Sequence, residues 1–287
     1  MPADILKAAN HLPAPPLRLS LPARLPPFLM RLQDQIILIT GSTTGIGAAM
    51  ARRFAQEGAR VIVHGRDTAR GEALRQELGT DRAAFIAGDL ADAAHPDELA
   101  AAAVAAFGRL DALVNNAALT TRARITETDL VFFDRMVAVN LRAPFMLIRA
   151  LLPALKESQG SVLNIGSILA HCGQSNLPVY SMTKGGLMTL TRNLANSLGR
   201  DRVRVNQMNV GWTLTENEYH TKVGDGLPPD WPDHLPPVAA PFGRLLSPED
   251  IAEAAVYWVS SASSPVSGSV FEIEQYPLIG RIADQEG

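Results

Sequence analysis

The sequence predicts an α/β fold, a doubly wound parallel sheet of about seven strands with helices on both faces. Two observations predict it. Short β-branched and apolar runs alternate with helical stretches along most of the chain. Such alternation is typical of a parallel sheet that helices cover on both sides. The glycine-rich segment 41–47 joins the first apolar run to the first helical stretch, as in sheets that bind nucleotides.

Length and composition indicate an ordinary globular chain. It has 287 residues, of which 47% are hydrophobic and 19% charged, enough for a large core in one or two domains. The formal net charge is −3, so we expect no nucleic-acid partner. We also expect no membrane association, because no apolar run reaches the roughly 20 residues of a spanning helix.

Cysteine and histidine content argues against disulfides and metals. Cys172 is the single cysteine, which excludes an intrachain disulfide framework and a cysteine-rich zinc site. The six histidines show no spaced ligand set, so we expect no metal. A lone thiol fits a reducing compartment, and we expect a cytoplasmic protein.

Residues 1–33 form a proline-rich N-terminal arm that holds seven of the 20 prolines. Prolines break long helices, so we predict at most a short helix at Asp4–Asn10. The arm is either a loosely docked tail or a segment that packs apolar residues on its own domain or on a neighbouring subunit. Those apolar residues are Leu25, Phe28, Leu29 and Leu32.

Residues 34–287 are predicted to form one domain, whose first half alternates four strands with four helices. The strands are expected at Gln35–Thr40, Arg60–His64, Ala83–Ala87 and Leu110–Asn115. The helices are expected at Gly45–Gly58, Asp67–Leu78, His95–Phe107 and, as a long helix, at about Glu127–Glu157. The long helix should be irregular at Pro144 and Pro153, because proline cannot donate a backbone hydrogen bond.

The second half continues the alternation and adds a lid. Strands are expected at Ser161–Gly166, Val203–Met208 and Val270–Ile273, and helices at Pro178–Gly199 and Ser247–Ser260. Ser247 followed by Pro248 is a typical helix start. Residues 216–241 carry six prolines and few periodic apolar positions, so a lid without regular structure is predicted at about 212–241.

The turn Gly41–Gly47 is predicted to bind a pyrophosphate. Its glycines permit a tight turn and close approach of the backbone, and the helix that follows offers free N–H groups. The spacing is Gly-x-x-x-Gly-x-Gly, and the preceding residue is Thr40. A plain tight turn is the alternative.

This fingerprint resembles that of the short-chain dehydrogenase/reductase family, which has a Rossmann-type fold. Further landmarks follow in the family's order, namely Gly88-Asp89-Leu90, Asn115-Asn116-Ala117-Ala118, Asn140, Ser167, Tyr180 and Lys184. The resemblance covers residues 34–275 and implies a nicotinamide cofactor. Cofactor contacts are expected at Gly41, Thr43, Gly45, Ile46, Gly47, Arg66, Asp89, Leu90, Asn116, Ala117, Tyr180, Lys184, Gly211, Thr213 and Thr215.

The end of the second strand favours NADP(H) over NAD(H). Enzymes that use NAD place an acid there, on the adenosine ribose. Here Gly65 takes that position and Arg66 follows, and a guanidinium can pair with a 2′-phosphate. NAD(H) stays possible, because Asp67 would come close if the alignment shifted by one residue.

Tyr180 and Lys184 are spaced so that both lie on one face of a helix. A fixed ammonium favours the phenolate and lowers the pKa of tyrosine towards the working pH of a general acid. By resemblance, Ser167 binds the substrate oxygen, Lys184 also binds the nicotinamide ribose, and Asn140 holds a water in a proton relay. Asn115 resembles the family's asparagine that links neighbouring strands.

The implied function is interconversion of a secondary alcohol and a carbonyl by direct hydride transfer. The substrate would be a small sugar, polyol or ketone, in contact with residues 119–122 and with candidates His171, Gln174, Trp212, Tyr219 and Trp231. The alternatives are a nucleotide-binding regulator or scaffold on the same fold, and a dehydratase or epimerase. From family habit we expect a homodimer or homotetramer. The family's Pro-Gly turn reads Val210-Gly211 here, and we expect a less rigid start to the lid.

Overall fold

The computed structural model describes residues 30–277 of the chain. The predicted helix Asp4–Asn10 and the arm residues Leu25, Phe28 and Leu29 lie outside the described residues. Leu32 is fully buried and packs in the core, as one view of the arm expected. Arg31 pairs with Glu57 at 2.6 Å and with Glu253 at 3.1 Å, so residues 31 and 32 are held against the domain.

Within these residues, seven strands form one parallel sheet, which confirms the predicted fold class. The strands are β1 (Ile36–Ile39), β2 (Arg60–Gly65), β3 (Ala83–Ala87), β4 (Ala112–Asn115), β5 (Ser161–Ser167), β6 (Arg204–Val210) and β7 (Val270–Ile273). They are hydrogen-bonded in the order β3-β2-β1-β4-β5-β6-β7. The chain order therefore reverses between β1 and β4, and parallel sheets bind ligands in the crevice at such a point.

Helices cover both faces of the sheet. They are α1 (Gly45–Gln56), α2 (Thr68–Leu78), α3 (His95–Phe107), α4 (Leu130–Val137), α5 (Ala143–Ser158), α6 (Pro178–Leu198), α7 (Glu216–Gly224) and α8 (Pro248–Val259). One core lies beneath α1, α2 and α8, and a second lies beneath α3, α5 and α6. Ser247 caps α8 in a reciprocal pair with Asp250, as its sequence predicted.

The long helix is irregular at a different place from the one predicted. A π-helical turn at Ala138–Arg142 joins α4 to α5, whereas Pro153 lies inside a continuous α5. Pro144 has no N–H to offer the carbonyl of Asn140 four residues earlier, so α-helical bonding cannot run unbroken through this point. π turns of this kind are frequent at functional sites.

The helix Leu130–Ser158 is also the one helix in residues 30–277 that is long and apolar enough to cross a membrane, by length and composition. Half of its most apolar stretch is buried inside the fold. Leu147, Leu151 and Leu155 pack in the second core. The finding qualifies the expectation that no apolar segment reaches this length.

The lid contains more regular structure than predicted. Helix α7 occupies residues 216–224, and a short 3-10 turn follows at Trp231–Asp233. The hydroxyl of Thr215 accepts a hydrogen bond from the N–H of Glu218 at 3.1 Å and caps the helix. Trp231, Ala240 and Leu245 form a small core of the lid, against which Trp212 and Tyr219 pack.

Candidate active site

A cavity of about 980 Å³ opens at the carboxyl ends of the strands. Every predicted cofactor contact lines it, as do Ser167, Tyr180 and Lys184. The strands deliver these residues because each of β1 to β6 ends at the same edge of the sheet. Asn140 is the one predicted catalytic residue that does not line the cavity, since it is buried behind the wall.

The turn after β1 leaves no room for larger side chains. Gly41 has a φ of +61°, and a Cβ there would lie 2.8 Å from the Cα of Ala117. A Cβ on Gly47 would lie 2.4 Å from the carbonyl oxygen of Gly41. Asn116 donates to that oxygen at 2.9 Å and to the carbonyl of Thr40 at 2.8 Å, which ties the turn to the end of β4. Helix α1 begins at Gly45 without a side-chain cap, so its first N–H groups can receive an anion.

The end of β2 carries no carboxylate that points at the cavity. Gly65 ends the strand, and a Cβ there would lie 2.7 Å from Cγ2 of Thr43. Asp67 caps α2 by accepting a hydrogen bond from Arg70 N at 3.0 Å and does not line the cavity. Arg66 lines it with 62% of its side chain exposed, 4.0 Å from Asp89.

Two buried histidines, which sequence reasoning missed, support this region from below. His64 Nδ1 accepts a hydrogen bond from Gly41 N at 3.4 Å, and its Nε2 lies 3.1 Å from Nε2 of His95. The first contact makes Nδ1 the acceptor, so His64 donates from Nε2 to His95. Burial lowers the pKa of His64 to about 3, with the neighbouring His95 as the second cause. His64 is therefore a neutral support for the phosphate turn.

Ser167, Tyr180 and Lys184 converge at the other end of the cavity. Ser167 ends β5, and Tyr180 and Lys184 are one turn apart near the start of α6, as predicted. Lys184 Nζ donates to the carbonyl of Ile165 at 2.7 Å and lies 5.6 Å from the centre of the Tyr180 ring. Tyr180 and Ser167 share a hydrogen bond.

The electrostatics of the protein groups differ from the sequence expectation. Burial raises the pKa of Tyr180 to about 12, the hydrogen bond with Ser167 acts against this, and the charge of Glu218 adds to it. Burial lowers the pKa of Lys184 to about 8. Lys184 was predicted to lower the pKa of Tyr180. Burial of the phenol instead raises that pKa when only the groups of the protein are considered.

The side chain of Asn140 makes hydrogen bonds to other protein groups. Its Oδ1 accepts from Leu119 N at 2.8 Å, and its Nδ2 donates to the carbonyl of Leu119 at 3.0 Å and to Thr183 Oγ1 at 3.3 Å. Asn140 therefore joins the π turn to α6 and to the segment that follows β4. A water held by Asn140 stays a prediction.

Asn115 links strands, as the sequence predicted, and begins a buried polar chain. Its Nδ2 donates to Asn164 Oδ1 at 2.8 Å, and Asn164 Nδ2 donates to Thr191 Oγ1 at 2.9 Å. Thr191 Oγ1 donates to Gln207 Oε1 at 3.1 Å, and Gln207 Nε2 donates to Asn209 Oδ1 at 2.7 Å. The chain joins β4, β5, α6 and β6.

The substrate end contains only part of the predicted set. Residues 119–122, Gln174 and Trp212 line the cavity. His171 does not, because its Nε2 lies 3.1 Å from both Asn209 Nδ2 and Glu272 Oε1. Tyr219 and Trp231 sit behind the wall, where Trp231 stacks on Trp212 with ring centres 5.7 Å apart.

Sequence reasoning missed a charged group at this end. Glu218 Oε1 accepts from Trp212 Nε1 at 2.9 Å and lies 3.5 Å from Arg122 Nη2. Arg122 also pairs with Asp225. The start of α7 held the only sequence signal for Glu218, namely a threonine followed three residues later by an acid, which is typical of a capped helix.

Comparison with known proteins decides the family. A family model described as enoyl-(acyl carrier protein) reductase matches residues 41–275. L-Fucose dehydrogenase of Mus musculus is 36% identical over 237 residues, which cover 81% of this chain and 85% of that protein. The chain belongs to the short-chain dehydrogenase/reductase family. It is an oxidoreductase of the kind that acts on CH–OH groups with NAD(P).

Solved structures agree with this assignment. The 3-ketoacyl-(acyl-carrier-protein) reductase from Brucella melitensis, complexed with NADH, is 33% identical, covers 84% of this chain and 97% of its own, and has a TM-score of 0.74. L-Sorbose reductase from Gluconobacter frateurii, complexed with NADPH and L-sorbose, is 29% identical, covers 86% and 97%, and has a TM-score of 0.80. Members of this dehydrogenase/reductase family thus take either nicotinamide dinucleotide.

One departure from the family pattern is compensated in this dehydrogenase/reductase. Valine replaces the usual proline before Gly211, but Glu274 ties the turn instead. Its Oε2 accepts from Trp212 N at 3.0 Å, and its Oε1 accepts from Gln275 N at 2.7 Å. A Cβ on Gly211 would lie 2.0 Å from Glu274 Oε2, so the glycine makes room for the carboxylate. The expected looseness at the start of the lid is therefore offset.

Proposed function

We propose that the protein is an NADP(H)-dependent oxidoreductase that interconverts a secondary alcohol and a carbonyl in a small polyhydroxylated substrate. The observation that carries the proposal is the convergence of Ser167, Tyr180 and Lys184 at one end of a cavity whose other end is a glycine turn. The dinucleotide supplies or accepts the hydride when bound.

The protein groups handle the oxygen and its proton. In oxidation, the phenolate of Tyr180 takes the hydroxyl proton while the carbon loses hydride. In reduction, the phenol returns the proton to the oxygen as hydride arrives. Ser167 donates a hydrogen bond to this oxygen and stabilises the charge that develops on it. Lys184, held by Ile165, places an ammonium near the phenol and favours its ionised form.

The preference for NADP(H) rests on the end of β2. Arg66 is exposed to the cavity, and Arg70 from α2 lines the same region. Gly65 and the capping role of Asp67 leave no acid at the end of β2 itself to repel a 2′-phosphate, although Asp89 at the end of β3 lies 4.0 Å from Arg66. A guanidinium pairs well with phosphate oxygens, so the phosphorylated dinucleotide should bind more tightly.

The cavity and the relatives together support this substrate class. Two of the relatives described above are named for L-fucose and L-sorbose, both polyhydroxylated. In this chain the substrate end combines a carboxylate, an amide and an indole, from Glu218, Gln174 and Trp212. Such a mixture suits a sugar or polyol, whose hydroxyls need acceptors and whose C–H faces need apolar surface.

Replacement of Tyr180 by phenylalanine tests the proposal. Loss of a positioned acid and base lowers turnover by about 10²–10⁴-fold. We expect Tyr180→Phe to lose that much in the reduction of L-sorbose or the oxidation of L-fucose, followed by nicotinamide absorbance, while the dissociation constant of NADPH stays within about threefold.

The matched control is Tyr219→Phe, because Tyr219 lies behind the cavity wall. Near-normal turnover in Tyr180→Phe would refute the role of the phenol. Absence of turnover by the wild-type protein across sugars, polyols and ketones, with intact NADPH binding, would favour a nucleotide-binding regulator.

A further inference from the structure

Glu218 is a charged group in the substrate end that the proposed roles above do not use. It is the third residue of α7, lines the cavity and has 21% of its side chain exposed. Removing most of a carboxylate from water costs free energy unless partners replace the water. A carboxylate kept in this position therefore needs an explanation beyond the capping of α7, to which Glu218 contributes only its backbone N–H.

The two oxygens of Glu218 are used unequally. Oε1 receives both Trp212 Nε1 at 2.9 Å and Arg122 Nη2 at 3.5 Å. No hydrogen bond from any residue between 30 and 277 reaches Oε2. An ionised carboxylate has about four acceptor positions, so Oε2 retains acceptor capacity inside a cavity.

Glu218 and Tyr180 line the same cavity. Burial is the larger cause that raises the pKa of Tyr180, and the negative charge of Glu218 is the second. A substrate whose oxygen meets Tyr180 would therefore bring its neighbouring carbons, and their hydroxyls, towards Glu218.

We propose that Glu218 is a specificity-determining residue whose Oε2 accepts a hydrogen bond from a substrate hydroxyl beyond the reacting carbon. This inference rests on the proposed carbonyl–alcohol function and deepens it. Trp212 and Arg122 hold the carboxylate by Oε1, so Oε2 is oriented before the substrate arrives. A hydrogen bond to a charged acceptor is stronger than one between neutral groups.

The charges around Glu218 favour a neutral substrate over an acid. Arg122 already pairs with two carboxylates, Glu218 and Asp225, and is not available for an anion. Lys222 also lines the cavity and could attract one, with Nζ 5.1 Å from the Trp212 ring centre. Glu218 would repel an acidic substrate, whereas Lys222 would attract one.

Three six-carbon ketones separate these roles. L-Sorbose carries hydroxyls, and 2-hexanone has the same 2-keto chain without them. 2-Keto-L-gulonate has a carboxylate in place of the C1 hydroxymethyl group of L-sorbose. In Glu218→Gln, kcat/KM with NADPH should fall about tenfold or more for L-sorbose and change less than twofold for 2-hexanone. The ratio of kcat/KM for L-sorbose to kcat/KM for 2-keto-L-gulonate should be smaller in Glu218→Gln than in the wild type. Glutamine keeps an oxygen for Trp212, so the wall is preserved.

Asp225→Asn is the matched control, because it removes the other carboxylate from Arg122 outside the cavity. It should leave all three kcat/KM values within twofold. Equal losses for L-sorbose and 2-hexanone in Glu218→Gln would reduce Glu218 to a structural residue and overturn the inference. A wild-type preference for 2-keto-L-gulonate that Lys222→Met abolishes would overturn it as well.

Calorimetric titration of L-sorbose into the NADP⁺-saturated protein keeps the two proposals separate. Tenfold weaker binding in Glu218→Gln supports the inference even if the wild type shows no turnover, and that lack of turnover would count against the proposed function alone. Equal L-sorbose affinity in both proteins, or no L-sorbose binding to either, would overturn the inference.

Discussion

Tyr180 and Lys184 show how burial works against the chemistry that their spacing promises. Burial pushes both groups towards their uncharged forms, raising the pKa of Tyr180 to about 12 and lowering that of Lys184 to about 8. The pKa of Tyr180 thus lies above that of Lys184. The neutral phenol and neutral amine are therefore favoured over a pair of phenolate and ammonium. Groups that arrive with the substrate and the dinucleotide must complete the tuning.

Lys184 should make stability depend on pH. The unfolded chain keeps its proton up to a pKa near 10.5, whereas the folded site releases it near 8. Between these values the unfolded state binds more protons, so the free energy of unfolding rises with pH. Relative to Lys184→Met, we expect the wild type to gain on the order of 3 kcal/mol between pH 8 and pH 10.5.

Urea unfolding at several pH values in this range measures the difference. Lys156→Met removes an exposed lysine of α5 and serves as the control for the loss of one cation. Parallel curves for the wild type and Lys184→Met would contradict the burial argument.

Single residues were predictable where a local motif carries them. Gly41, Arg66 and Ser167 sit at strand ends, and the sheet brings all strand ends to one edge. Glu218 and the His64–His95 pair were missed because their meaning depends on contacts between elements that lie far apart in the sequence. No local pattern encodes that His95, at the start of α3, reaches His64 on β2.

The buried chain from Asn115 to Asn209 makes the strands beneath the site depend on α6. Thr191 is its central member and is fully buried. Thr191→Val keeps the shape but leaves Asn164 Nδ2 and Gln207 Oε1 without this partner. Unsatisfied buried groups cost about 1–3 kcal/mol each, so we expect a loss of about 3 kcal/mol in the free energy of unfolding.

Chemical denaturation tests this against Thr189→Val, an exposed position on the same helix. That control should change the free energy of unfolding by less than about 0.5 kcal/mol. A loss below about 1 kcal/mol in Thr191→Val would show that the chain is not satisfied through Thr191.

Elements were predictable where apolar residues mark a buried face. All seven strands and the helices that pack on the sheet give that signal. Helix α7 gives none, because it contains no buried residue, and it was predicted as irregular. The irregularity of the long helix lies before its predicted place, as a π turn, because sequence reveals Pro144 but not how the preceding turn adapts to it.

At the scale of the whole molecule, cofactor binding should be visible as stability. A ligand at a hundred times its dissociation constant adds about 2.7 kcal/mol, which for a chain of this size raises Tm by about 5–10 °C. In Arg66→Ser, we expect the NADPH concentration that gives a chosen rise in Tm to increase at least tenfold. The NADH concentration that gives the same rise should not change.

Thermal unfolding with each dinucleotide measures both effects. Arg75→Ser, on α2 but outside the cavity, is the matched control. Tighter binding of NADH than of NADPH by the wild type, or an equal loss of both in Arg66→Ser, would contradict the assignment of Arg66.

The predicted homo-oligomer stays a prediction. Ile125, Leu130 and Val131 are 77%, 72% and 76% exposed around the start of α4, and Phe145 on α5 is 47% exposed. An apolar surface on the long helix is compatible with the family habit from which the prediction came.

The stacked pair of Trp212 and Trp231 has an optical consequence. Two of the three tryptophans of the chain stand at the substrate end, and the third, Trp258, stacks on Phe271 between α8 and β7. Reduced nicotinamide absorbs light at the wavelengths where indole emits it. A reduced dinucleotide in the cavity would therefore quench the emission of Trp212 by energy transfer. The protein carries its own fluorescent reporter, which registers arrival and departure of the reductant without any attached label.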